Sequence, residues 1–156
     1  SSANLKKYES KDAYADGRAT VYRTPDGKLV RREGGSLAWR NNNPGNIRAG
    51  AFAKSLGAIG VGPGGFAIFP DAETGARAVG ALMRTQNYKN LSIADAIARY
   101  APPSENNTAA YQAAIRKQTG LDSTRKMSTL SDAELGRVVN AIRQHEGWKE
   151  GKTSTQ

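Results

Sequence analysis

The chain has 156 residues, enough for one compact domain that buries a single core without covalent staples. It has no cysteine and one histidine, which excludes a disulfide framework, a thiolate metal site and a multi-histidine zinc site. A formal charge of +9 calls for an anionic partner: nucleic acid, an anionic membrane surface or an anionic cell-wall polymer.

Residues 1–18 are polar and without a clear period, so they read as a linker or N-terminal arm, the expected start of a piece of a longer protein. Residues 19–150 read as one domain and 151–156 as a tail. The run ATVYRT-PDG-KLVRRE is expected to form a β-hairpin around Pro25-Asp26-Gly27, ended by Gly34-Gly35. WRNNNPGNIR follows, Trp39 to Arg48, with a β-turn expected at Asn43-Pro44-Gly45-Asn46. From Ala49 to Gly65 glycine and alanine dominate, which predicts loop or bent strand and one wall of a cleft.

After GFAIFP the pattern turns helical. Asp71 is placed to cap a helix that carries Ala72, Ala76, Val79, Leu82 and Met83 on one face and reaches Gln86. Ser92 is placed to cap a second helix, stopped at Pro102-Pro103, and Thr108 a third, which ends at Gly120. Ser131 and Glu134 predict a capping box for the last helix, whose inward face is Leu135, Val138, Val139 and Ile142, with Gly147 as the stop. The expected fold class is α+β, mainly α, with a small β-hairpin.

A serine triad would have to use His145, and no G-x-S-x-G elbow accompanies it; P-loop and dinucleotide fingerprints are missing as well. Carboxylates remain. Glycoside hydrolysis needs one carboxyl that donates a proton to the leaving oxygen, usually with a second carboxylate or an oriented water across the sugar. Glu146 suits the donor, because a helix C-terminal end carries partial negative charge and Trp148 offers apolar cover; the alternative is an exposed residue at a fraying end. Glu33, just before Gly34-Gly35, is the second candidate, although Arg31 and Arg32 make a hairpin ion pair equally natural. Asp71 and Glu73 are explained by capping.

Asn41, Asn42 and Asn43 exceed what a turn requires. Their amides, with Asn46, Arg40 and the flat face of Trp39, match sugar hydroxyls, N-acetyl groups and pyranose rings, and so are expected to bind a glycan. Tyr100, Glu105 and Asn106 are expected to face the same groove, the alternative being that Asn106, Asn107 and Thr108 only start the next helix.

The segments AWRNNNPGNIR, GFAIFPDAETGARA, IARYAPPSENNTAAY and AIRQHEGW, in that order from about Gly34 to Trp148, resemble a lysozyme-like domain of phage proteins and of peptidoglycan-degrading type VI secretion effectors. The resemblance implies a mostly helical lysozyme-like fold and muramidase activity. IRQHEGW is similar to the helix-ending Glu-Gly of phage-type lysozymes, which points to Glu146. EGGSLAWRNNNPGNI is similar to the Glu and Asn-x-x-Gly-Ile of glucosaminidase-type autolysins, which points to Glu33. The hairpin precedes the Glu146 segment here, the reverse of the phage-type order.

The resulting expectation is a monomeric peptidoglycan hydrolase acting on glycan strands without metal or organic cofactor. Secreted without a signal peptide of its own, it would act in the periplasm or wall of a target cell, with an immunity protein as partner. No specific nucleic-acid binding and no membrane insertion are expected, since the cations are scattered and no apolar run is long enough for a span. The alternatives are a non-catalytic wall-binding module, a lytic transglycosylase or glucosaminidase, and a basic nucleic-acid binder.

Overall fold

A computed structural model describes residues 10–156. The protein is α+β, with six α-helices among the described residues and a small antiparallel sheet. It divides into two compact units: the described residues up to Ala78 together with Glu146–Gln156, and Val79–His145. The expected domain from 19 to 150 spans parts of both units, and the C-terminal residues belong to the first.

The first unit is built on a four-stranded sheet in which β1 (Asp12–Asp16), β2 (Ala19–Arg23), β3 (Leu29–Glu33) and β6 (Lys152–Thr155) lie in that order. The expected hairpin is its centre: β2 (Ala19–Arg23) pairs with β3 (Leu29–Glu33), Val21 opposite Arg31 and Tyr22 opposite Val30. Thr24 closes the turn, its hydroxyl accepting from the Lys28 amide at 3.0 Å, while Gly27 takes the left-handed φ of 84° that the reversal requires.

Two further strands lie where an arm and a tail were expected. β1 (Asp12–Asp16) pairs antiparallel with β2, and β6 (Lys152–Thr155) pairs with β3, Lys152 opposite Glu33. The expectation is corrected for these residues; the rest of the expected arm, 1–9, lies outside the described residues. β1 buries only Ala13 and β6 buries no side chain, so both edges are held by backbone hydrogen bonds and show no alternation of apolar residues.

The glycine-rich stretch contains a short helix and a two-stranded sheet of β4 (Gly60–Val61) and β5 (Ala67–Ile68). β4 lies against β1: the Ala13 amide donates to the Ile59 carbonyl at 3.2 Å, and a Cβ on Gly60 would meet the Ala13 carbonyl oxygen at 1.9 Å. Ala13, Tyr22, Val30 and Ile68 form a buried cluster there, with Ile59 against it. In chain order the helices are α1 (Leu37–Arg40), α2 (Ala51–Ser55), α3 (Ala72–Met83), α4 (Ile93–Tyr100), α5 (Thr108–Thr119) and α6 (Asp132–Glu146).

Asp71 caps α3 as expected, its carboxylate accepting from the Thr74 amide at 2.7 Å, and α3 ends at Met83, before Gln86. Ser92 caps α4 through the Asp95 amide. The cap of α5 is Asn107, one residue earlier than expected, because Thr108 is buried with its hydroxyl donating to the Ala101 carbonyl. The capping box of α6 is reciprocal: Ser131 N–H donates to Glu134 at 2.9 Å and Glu134 N–H to Ser131 Oγ at 3.1 Å. Met83, Ile97, Tyr111, Ile115, Met127, Val138 and Ile142 make up the interior of the second unit. No helix of the described residues is long and apolar enough to cross a membrane.

Candidate active site

The stretch from Trp39 to Arg48 folds inward. Ser36 caps α1 by accepting from the Trp39 amide, and the chain then turns through Asn42 and Asn46, both at positive φ (51° and 49°), which asparagine tolerates better than most residues. Trp39 is 1% exposed, and Asn41, Asn42 and Asn43 are 0% exposed.

The expectation that these four side chains line a glycan groove is therefore corrected: protein groups take up their surfaces. A loop drawn into the interior must find partners for its own backbone and for that of its neighbours, and an amide offers a donor and an acceptor together. Asn43 donates to the carbonyls of Ile47 (2.8 Å) and Ala67 (2.9 Å) and accepts from the Ile47 amide. Asn42 donates to the Phe69 carbonyl and accepts from Arg32 Nη1 at 3.0 Å. Asn41 accepts from the Thr20 hydroxyl at 2.7 Å. The three amides tie the loop to β2, β3 and β5. The backbone of Asn42 also lies against α3, where a Cβ on Gly75 would meet its carbonyl oxygen at 2.0 Å.

Arg32, 0% exposed, is the hub beneath this loop. Its guanidinium lies 4.5 Å from the Trp39 ring centroid and 5.8 Å from that of Tyr22, and Nη1 also donates to the Trp39 carbonyl. Burial lowers the pKa of Arg32 and raises that of Tyr22, the latter offset in part by the Arg32 charge. The sequence reading gave Arg32 no such place. The signal was available, since Arg32 stands two residues from buried Val30 and so on the same face of β3.

Within the amide run, Asn46 reaches a candidate acid: its Nδ2 lies 3.4 Å from Glu146 Oε2. Glu146 is half-buried at the last position of α6, and Gly147 (φ 85°) turns the chain into a half-buried Trp148. The C-terminal segment then lies along the residues after Glu33. Ser36 N–H donates to the Lys149 carbonyl at 2.8 Å, and Lys149 N–H donates to Ser36 Oγ at 3.0 Å. The approach demands glycine on both sides: a Cβ on Gly35 would meet Lys149 O at 2.4 Å, and one on Gly151 would meet Glu33 O at 2.2 Å.

Glu33 is exposed and paired with Arg31 Nε at 3.1 Å, and Arg31 also bonds Asp16. Arg40 does not point to a ligand groove with the asparagines. Its Nη1 donates to the carbonyls of Gly34 and Gly35, both at 3.0 Å, and so fixes the turn after Glu33.

Tyr100, Glu105 and Asn106 belong to the other compact unit. Tyr100 is half-buried at the end of α4; Glu105 and Asn106 are exposed in the following loop, where the Asn106 amide donates to the Pro102 carbonyl. Among the described residues no three His, Cys, Asp or Glu side chains converge to hold a metal. A scan against protein-family models matches none, and a search of curated proteins finds no significant relative.

Proposed function

We propose that this chain is a peptidoglycan glycosidase of the lysozyme type, acting between N-acetylmuramic acid and N-acetylglucosamine, with Glu146 as general acid. The observation that carries the reading is the placement of Glu146: a half-buried carboxyl at a helix C-terminal end, approached by the side-chain amide of Asn46. The four ordered segments that resemble lysozyme-like domains support the substrate class.

In the reaction the Glu146 carboxyl gives its proton to the glycosidic oxygen as the bond to the anomeric carbon breaks. Water then adds to that carbon and its proton passes to a carboxylate. Glu33 is the second carboxylate of the reading; its exposure leaves room for a substrate, and Arg31 Nε, 3.1 Å away, holds it in place. The net charge of +9 draws the domain to an anionic wall, and salt weakens that attraction. Action at the wall of a target cell and an immunity protein as partner belong to the same proposal. A wall-binding module without catalysis is less well supported, because the amides and the tryptophan that would have formed its groove are buried.

The test is the release of reducing ends from purified sacculi. Glu146→Gln should lower turnover about a hundredfold or more, with the thermal transition unchanged. Unaltered turnover in that variant would remove Glu146 from the reaction, and anhydro ends in the products would make the enzyme a transglycosylase.

A further inference from the structure

A surface recess of about 540 Å³ opens in the first unit, walled by Ala49, Ala58, Ile59 and Val61, with Lys11 and Lys54 at its edge. The wall is aliphatic and built of small groups. Val61 is 57% exposed, a high value for a valine in a strand, and Gly60 beside it has no room for a side chain. Among the described residues the two lysines are the only charged ones lining the recess, and neither has an ion-pair partner there. The acid next in the chain, Asp12, pairs with Arg23 instead.

Two ammonium groups that no acid of the described residues pairs with, beside an aliphatic wall, fit a ligand that carries carboxylates and methyl-sized groups together. A nucleic-acid strand is a poorer fit, since it asks for aromatic platforms and a track of cations, and no aromatic side chain of the described residues lines the recess. The position adds to the argument. Ala49 on the recess wall lies three residues from Asn46, the residue that touches Glu146, a separation of at most about 11 Å along the chain. A substituent on a sugar bound at Glu146 is therefore within reach of the recess.

We infer that this recess is a subsite for the short acidic peptide carried on the glycan strand, with Lys11 and Lys54 binding its carboxylates. The inference rests on the glycan reading above and names a second recognition element for it. The enzyme then reads both the sugar backbone and its peptide, and prefers peptide-bearing strands over stripped ones.

Two measurements on the full chain test this. In the first, amide NMR follows titration with synthetic L-alanyl-γ-D-glutamate, with its diamide and inorganic phosphate as controls. Shifts at Ala49, Ala58 and Ile59 are expected with the dipeptide, weaker binding with the diamide, and about a tenfold loss of affinity in Lys11→Glu/Lys54→Glu. In the second, turnover of intact sacculi is compared with turnover of glycan stripped by an amidase, and the preference for intact strands should fall toward one in the double variant.

Equal binding of dipeptide, diamide and phosphate would reduce the recess to an unselective basic patch and overturn the inference, as would a preference unchanged in the double variant. Selective dipeptide binding with no glycan hydrolysis would uphold the recess as a peptide site and defeat the glycosidase reading alone.

Discussion

Asn46 and Glu146 stand one hundred positions apart in the chain, yet the amide of one lies 3.4 Å from the carboxylate of the other. Asn46 also sits at φ 49°, so its backbone conformation and its side-chain contact are separable by mutation. Asn46→Gly keeps the left-handed backbone and removes the amide. It should lower kcat roughly fivefold with little change in KM, the loss of one modest hydrogen bond at the acid. Steady-state kinetics on soluble glycan fragments check this, and kinetics equal to wild type would strip Asn46 of a positioning role.

Arg32 makes a second prediction, about stability. It is a wholly buried cation whose Nη1 has two acceptors, while Nε and Nη2 have no hydrogen-bond partner among the described residues. Arg32→Ala leaves a void beside Trp39 and removes the guanidinium donor to the Trp39 carbonyl and the Asn42 side chain, and should cost about 3 kcal/mol in urea unfolding. Arg32→Met fills much of the space and removes an incompletely satisfied charge, so it should cost clearly less. Equal losses in the two variants would mean that the charge contacts, and not the packing, hold this site.

Asn43 carries the third. Its amide serves two carbonyls and one N–H within the interior. Asn43→Ala should destabilise by about 2 kcal/mol or more, since the Ile47 N–H and the Ala67 carbonyl lose this buried partner, while the Ile47 carbonyl keeps the Ala67 N–H. Asn43→Asp should be worse, because a carboxylate would face the carbonyls of Ile47 and Ala67. If Asn43 served a sugar instead, both variants would keep wild-type stability and lose glycan affinity, and the two readouts together decide the matter.

These residues show what was legible in the sequence. Helix ends were, because caps are local chemistry: Ser92, Gly120, and the pair Ser131 and Glu134 stand where their side chains or φ values are needed. The edge strands were not. Asp12–Asp16 buries one residue and Lys152–Thr155 none, so both are specified by pairing with β2 and β3, which no local pattern encodes. The asparagine run holds more amides than a turn needs, but composition cannot distinguish an amide that serves a buried carbonyl from one that serves a sugar. Asn46 meets Glu146, and the C-terminal segment meets Ser36, across a hundred or more positions, long-range contacts with no local signature.

The last prediction concerns pH and the second unit. Arg125 grips Glu134 with both terminal nitrogens, at 2.5 and 3.2 Å, and the Ser131 amide adds a third donor. These bonds, that from Arg125 foremost, hold the Glu134 pKa at about 2, against an ordinary 4.5. The folded value lies below the unfolded one, so the unfolded chain takes up this proton first. The stabilisation is whole above about pH 4.5 and is lost as pH falls toward 2. Glu134→Gln should therefore be less stable than wild type at neutral pH and show a shallower loss of stability between pH 4.5 and 2. Arg125→Met should move the Glu134 titration upward in carboxyl-detected NMR. Parallel pH dependences for wild type and Glu134→Gln would show that the ion pair does not couple to folding, leaving the start of α6 to the Ser131 cap alone.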